Sequence, residues 1–258
     1  MTNRIITVPQ NNKIPIIRIE SYKYFYRYTF SPSYDSLKAG DNGQDFIMII
    51  ESGNRVVFSL CDGVSQSFIA ELVSRFLGEA LSRWMVNIDF DNGYNKNLSE
   101  LENFLSKLPE EASLLINNYK LPSNIPVVLK EILEAKRIEG GETTFVSGVI
   151  DLTKDAIFLA WVGDSRLRLW DDSKEIKLSY ENSHDHWSSK KGLVGKLGSF
   201  QNTRKQIIRL LTYSDGLSIL DNRSWEDFAS DDTLNKIVSK SLELPSSDDV
   251  SLIEIDFQ

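Results

Sequence analysis

The sequence predicts an α+β fold in which antiparallel sheets are covered by helices. Three observations lead there. Apolar runs of strand length come in pairs around short, turn-rich links. Segments with three- and four-residue apolar spacing fall between those pairs. The composition of the 258 residues is 41% hydrophobic, 26% charged and 10% aromatic. That is enough apolar material for a sizeable core, and it excludes a disordered chain, a collagen-like repeat or a simple heptad coil.

The elements follow in chain order. The run from Tyr22 to Tyr28 alternates in polarity and reads as an N-terminal sheet strand. Its aromatics could also stack on nucleic acid, but the chain is acidic. Phe46 to Ile50 and Val56 to Cys61 flank Glu51-Ser-Gly-Asn-Arg55, a link suited to a hairpin. Phe68, Ile69, Leu72, Val73, Phe76, Leu77, Leu81 and Trp84 form one helical stripe, with Ser65 or Ser67 as its cap. The polar stretch 91–126 is a peripheral helical segment. In it Ser99 and Glu102 form a capping box that opens a helix through Phe104 and Leu105, and Pro109 interrupts that helix. Pro126 suits the first turn of a further helix carrying Leu129, Ile132 and Leu133.

Thr144 to Ile150 and Ala156 to Val162 flank Asp151-Leu-Thr-Lys-Asp155 as a second hairpin. Leu167 to Trp170 and Ile176 to Leu178 make a third. Ile207 to Tyr213 and Val250 to Phe257 complete the strands, with a weaker helical pattern from Trp225 to Leu242 between them. With no repeat and no long linker, residues 1–258 read as one domain.

Composition also bounds function. One cysteine, Cys61, excludes an intramolecular disulfide framework and a cysteine-only zinc site. No apolar run is long enough to cross a bilayer, and the first residues lack the basic start and apolar core of a secretion signal, so a soluble cytoplasmic protein is expected. The formal net charge of -8 offers no basic footprint for nucleic acid or for a membrane surface. The acids serve either solubility or a hard metal ion.

Their positions favour the second reading. Asp62, Asp164 and Asp215 each follow an apolar strand, and Asp45 and Asp248 each precede one. A hairpin brings the start of its first strand beside the end of its second, so Asp45 and Asp62 are expected as neighbours, and Asp164 near Thr143 and Thr144. Spacing alone does not say whether Asp215 and Asp248 join them. If they do, the carboxylates repel one another without cations, and their hard oxygens select Mg²⁺ or Mn²⁺ over zinc. Glycine adjoins three of these acids, in Asp62-Gly63, Gly163-Asp164 and Asp215-Gly216. Any one such pair reads as a turn, but three of them at strand ends read as a site.

Leu60-Cys-Asp-Gly-Val-Ser, Gly141-Glu-Thr-Thr-Phe, Trp161-Val-Gly-Asp-Ser-Arg166, Leu211-Thr-Tyr-Ser-Asp-Gly-Leu217 and Ser247-Asp-Asp-Val-Ser-Leu252 occur in this order. The set resembles the successive motifs of the metal-dependent serine/threonine protein phosphatases of type 2C, and Asn42-Gly-Gln-Asp45 resembles their opening acidic motif. The resemblance spans about Asn42 to Asp256. It implies a four-layer α-β-β-α sandwich, two central antiparallel sheets covered by antiparallel helix pairs. It implies that Asp62 bridges two divalent ions (Mn²⁺ or Mg²⁺), that the Gly63 carbonyl binds one, and that Asp215 and Asp248 hold the other. Asp164 is similar to a ligand of a looser third ion, and Gln44 and Asp45 would contact waters of the metals. The implied reaction is hydrolysis of phosphoserine or phosphothreonine in proteins by a water activated between the two ions, with Asp62, Asp215 and Asp248 as the catalytic acids and without Cys61 as nucleophile. A phosphoprotein substrate, a cognate Ser/Thr kinase and a signalling role follow from the same resemblance.

The sequence departs from the pattern in two places. Val64-Ser65-Gln66 stands where many relatives have a glycine pair and sometimes a histidine acid, so that water would protonate the leaving group. Gly40 stands where relatives often place a phosphate-gripping arginine, and Lys38 is the nearby substitute. These departures motivate a second reading, a catalytically weak or silent module that binds a phosphorylated partner. A phosphatase of small molecules or nucleotides is a third, and no Walker loop supports it.

Other residues read more plainly. His184 and His186 are structural or surface residues, because no cysteine or third histidine completes a zinc site. Arg166 is an ion-pair partner. The basic stretch Lys190, Lys191, Lys196, Arg204 and Lys205 is either a solvated loop or a flap for acidic phosphoprotein segments.

Overall fold

The computed structural model describes residues 3–178, 184–243 and 247–257. Two sheets stack face to face, and every strand pair described is antiparallel. The first holds β1 (Arg4–Thr7), β4 (Phe46–Ser52), β5 (Arg55–Gly63), β6 (Glu142–Asp151), β7 (Ala156–Val162), β10 (His186–Ser188), β11 (Gly192–Val194) and β12 (Gly198–Thr203). The second runs β2 (Ile14–Glu20), β3 (Tyr24–Ser31), β14 (Val250–Phe257), β13 (Arg209–Tyr213), β8 (Arg166–Trp170) and β9 (Glu175–Ile176) in spatial order.

Side-chain alternation divides the core into layers. Along β5, Val57 and Cys61 face the helices α2 (Ala70–Val86) and α3 (Tyr94–Asn118), while Val56, Phe58 and Leu60 face the other sheet. Along β14, Ile253, Ile255 and Phe257 face the first sheet, and Val250 and Leu252 face a third cluster with α5 (Asp231–Ser241). The order is therefore helix, sheet, sheet, helix. The outer cover of the second sheet differs from the expected helix pair. Among the described residues it is α5 with the 3-10 turns Asp215–Leu220 and Trp225–Phe228, so the pattern from Trp225 to Leu242 is a short turn and a helix.

Three helix signals resolve differently from expectation. α3 begins at Tyr94 and runs 25 residues through Pro109, so Ser99 lies inside it. Proline cannot donate to the carbonyl four residues back, which is that of Leu105. Trp187, fully buried, supplies the missing donor there through its indole Nε1–H at 3.2 Å. Neither Ser65 nor Ser67 caps α2. The Ser67 hydroxyl instead accepts the Glu142 N–H at 2.9 Å and ties the loop after β5 to β6. α4 (Val127–Glu139) follows Pro126 as expected, but Leu129 and Ile132 lie exposed and only Leu133 of that stripe packs on the core. No helix among the described residues is long and apolar enough to cross a membrane.

The second sheet is pinned by an interior cation. Arg27 on β3, in the run read as a strand, is fully buried, donates to Glu254 at 2.6 Å and to Asp231 at 2.8 Å, and reaches the carbonyls of Phe228 and Ala229. It thus ties β3 to β14 and to the start of α5.

Candidate active site

Alternation carries the acids to one end of the inter-sheet space. Ile47 and Ile49 of β4 face the second sheet, so Asp45, two residues earlier, continues that face. Asp62 continues the face of Phe58 and Leu60, and Phe46 pairs with Cys61, so Asp45 and Asp62 stand side by side as the hairpin geometry requires. From the second sheet, Asp249 continues the face of Ile253 and Ile255 and meets Asp45 between the sheets.

A fork in the first sheet opens the site. The free edge of β6 pairs with β10 at Glu142 and Thr143 and with β7 from Phe145 onward. Gly163 and Asp164 leave β7 at that fork, with Gly163 at φ 91° pressed against Thr144. A side chain there would collide with the Thr144 methyl, so the close approach requires glycine. Thr143 donates its hydroxyl to the Asp62 carbonyl at 2.7 Å and fixes the strand end.

A cleft of about 630 Å³ results, lined by Asp62, Gly63, Asp164, Asp215 and Asp248, with Val64–Gln66, Glu142, Thr144 and His184–His186 completing the wall. The structure therefore brings Asp215 and Asp248 to Asp62, which spacing alone left open. Asp45 lies behind them, fully buried, and does not line the cleft. Lys38 is not brought to the site. It sits on the exposed last turn of α1 (Tyr34–Ala39), a surface helix without a buried residue, and is absent from the cleft wall. No lysine or arginine lines the cleft among the described residues. Arg166, two residues after Asp164, donates to the Asp164 carbonyl and pairs with Asp221 at 3.2 Å, the ion-pair role expected of it.

The electrostatics are those of crowded carboxylates. Burial, then the charges of Asp45, Asp215, Asp248 and Asp164, push the Asp62 carboxyl well above its ordinary range. Burial and Asp248 push Asp215 up to about 6, against a smaller opposing pull from Arg166. Burial and Asp249 raise Asp45. Burial also raises the Cys61 thiol, with Asp45 and Asp62 adding to it, which keeps Cys61 from acting as a nucleophile.

Sequence reasoning missed Asp249. Its carboxylate accepts the Ser33 N–H at 2.6 Å, the Gln44 N–H and the Asp45 N–H at 3.3 Å, so it holds the Asn42–Asp45 loop from the opposite sheet. The doublet Asp248-Asp249 was its signal: neighbours on a strand face opposite ways, so one acid opens on the cleft while the other turns inward. Glu142 and the two histidines were likewise not assigned to the site. The alternation His184-Asp185-His186, with Asp185 buried between two more open neighbours, was the trace available.

The donor set suits a hard divalent cation. It is all oxygen, it repels itself, and two buried acceptors beside it, Asp45 Oδ2 and Gln44 Oε1, have no hydrogen-bond partner. Among the described residues no three acidic, histidine or cysteine side chains stand close enough to grip one ion, so the carboxylates form an open array around the cleft.

Neither a family model nor a curated protein matches the chain. Solved structures do. A bacterial serine phosphatase carrying one substitution superposes at TM-score 0.62 and 18% identity, over 90% of this chain and 97% of that one. RsbX in complex with magnesium gives 0.58 and 14%, over 94% and 100%. Serine-threonine phosphatase 2C from Toxoplasma gondii gives 0.56 and 12%, over 97% and 100%. At these identities the likeness establishes the fold, which is that of the type 2C phosphatases.

Proposed function

We propose that this chain is one catalytic domain that hydrolyses phosphoserine or phosphothreonine in proteins with divalent metal. The observation carrying the reading is the meeting of Asp62, Asp164, Asp215 and Asp248, from four separate strand ends, in one cleft whose described residues include no lysine or arginine. The fold shared with serine/threonine phosphatases supports it. Asp62, the Gly63 carbonyl, Asp215 and Asp248 would hold Mn²⁺ or Mg²⁺, with Asp164 toward a third ion. Bound there, such ions supply a water of lowered pKa and neutralise phosphoryl charge.

The chain's own residues do the rest. Asp249 fixes the loop that places Asp45 and Gln44 behind Asp62. Thr143 holds the Asp62 backbone, and Thr144 pairs its hydroxyl with Ser165 at 2.8 Å under the fork. Asp45, buried behind Asp62, raises the Asp62 carboxyl further, so the pair favours a proton unless a cation takes its place.

A catalytically weak or silent module that binds a phosphorylated partner is the weaker reading, because the carboxylate wall repels a phosphate dianion without cations and with them would supply an activated water. Phosphate release from a phosphothreonine peptide, with and without Mn²⁺, tests the proposal. The expected result is release that requires the metal and is lost in Asp62→Asn. Full activity in that variant or in excess chelator overturns it.

A further inference from the structure

We propose that His186 is the proton donor to the departing seryl or threonyl oxygen. This rests on the phosphatase reading above. A serine or threonine alkoxide leaves slowly unless it is protonated as the P–O bond breaks, and a positioned acid contributes roughly 10²–10⁴-fold. The loop after Asp62, Val64-Ser65-Gln66, carries no such acid. Of the side chains lining the cleft, Asp62, Asp164, Asp215 and Asp248 are assigned to cations, Asp185 accepts the Lys196 N–H at 3.1 Å, Glu142 faces His186, and Thr144 bonds Ser165. The imidazoles remain.

His186 is the better held of the two. It opens β10, and its neighbour Trp187 points the opposite way into the helix-side core, where the indole is fully buried and bonded to Leu105. Trp187 pairs with Thr143, which pairs in turn with Gly63. Alternation therefore turns His186 toward the face of Asp62 and Thr144. Its ring is oriented on two sides. Nδ1 lies 2.9 Å from the His184 carbonyl, which can only accept, so Nδ1 carries a hydrogen. Nε2 lies 3.3 Å from Glu142 Oε1, which also lines the cleft. A ring facing two acceptors donates to both only when doubly protonated. At 3.3 Å an incoming oxygen can compete with Glu142 for the Nε2–H along the ring's fixed donor direction.

The step balances. The attacking water gives one proton to solvent as its oxygen bonds to phosphorus, the P–O bond to the side-chain oxygen breaks with its electron pair, and that oxygen takes the Nε2 proton. The neutral ring regains a proton from solvent, and one water is consumed per phosphate released. Glu142 is the positioning residue.

The test uses the full chain with Mn²⁺ on two substrates, a phosphothreonine peptide and p-nitrophenyl phosphate, whose phenolate leaves without help. His186→Asn is expected to lower kcat on the peptide by roughly 100-fold or more and on p-nitrophenyl phosphate by less than about 3-fold. Glu142→Gln is expected to show the same split with a smaller loss, and inhibition by inorganic phosphate is expected to be unchanged in both. Equal losses on the two substrates, weakened phosphate inhibition or an unaffected peptide rate overturns the assignment. His186→Gln, judged by the same ratio, replaces the asparagine variant if thermal melting shows that variant to be misfolded. Wild-type inactivity on both substrates would instead sink the phosphatase reading and this assignment with it.

Discussion

The indole N–H of Trp187 donates to the Leu105 carbonyl at 3.2 Å, the acceptor that Pro109 cannot use. One residue that reads as a helix breaker thus becomes the point where α3 grips β10. Trp187→Phe keeps the ring and leaves that carbonyl unpaired in the interior, at a cost of roughly 1–3 kcal/mol. In a Pro109→Ala background, where the helix regains its own donor, the same change is expected to cost less. Urea unfolding of the four proteins in a double-mutant cycle measures the difference.

Arg27 and Glu254 are both fully buried and bonded to each other. Arg27→Ala leaves the buried Glu254 with only the longer Arg209 contact at 3.6 Å and the Trp225 indole at 3.2 Å, and the expected loss is about 3 kcal/mol. Replacing both by apolar residues of similar volume is expected to recover much of it. Equilibrium unfolding of the single and double variants decides.

Asp249 accepts backbone N–H groups from Ser33, Gln44 and Asp45. Asp249→Ala removes these charge-assisted bonds, with an expected cost of roughly 1.5–3 kcal/mol. Because the freed loop carries Asp45 and Gln44, Mn²⁺ affinity measured by calorimetry is expected to fall as well, although Asp249 does not line the cleft.

Metal and proton compete at the carboxylates. Burial and Asp248 push Asp215 up to about 6, and Asp62, Asp45 and Asp249 are also raised, chiefly by burial. The folded metal-free protein therefore binds more protons than the unfolded chain, and its stability falls as pH rises from about 4 through about 6. Thermal melting without metal is expected to drop across that window. Millimolar Mn²⁺ is expected to raise the midpoint more at pH 7.5 than at pH 5. Asp215→Asn flattens both responses, and a metal-free midpoint that rises across the window contradicts the charge crowding.

The α+β class, the two inner hairpins and the neighbouring of Asp45 and Asp62 were legible in the chain, because each depends on contacts a few residues long. Alternation and turn chemistry are local, and β4 with β5, or β6 with β7, need nothing else to choose their register. The second sheet's contributions were not legible in the same way. Asp215 and Asp248 reach Asp62 only because two sheets stack with a common open end, and Asp249 meets Asp45 across a gap of 204 residues. The same holds for Pro109, whose local propensity is overridden by an indole 82 residues from the carbonyl it satisfies. Lys38 shows the converse, since closeness in sequence to the first acidic motif did not carry it around the exposed helix that bears it. The amino-acid order determined which strands form and which of their ends carry acids. The packing of one sheet on the other decided which acids share a cleft, because hydrophobic burial is non-directional and only the finished stack specifies what faces what.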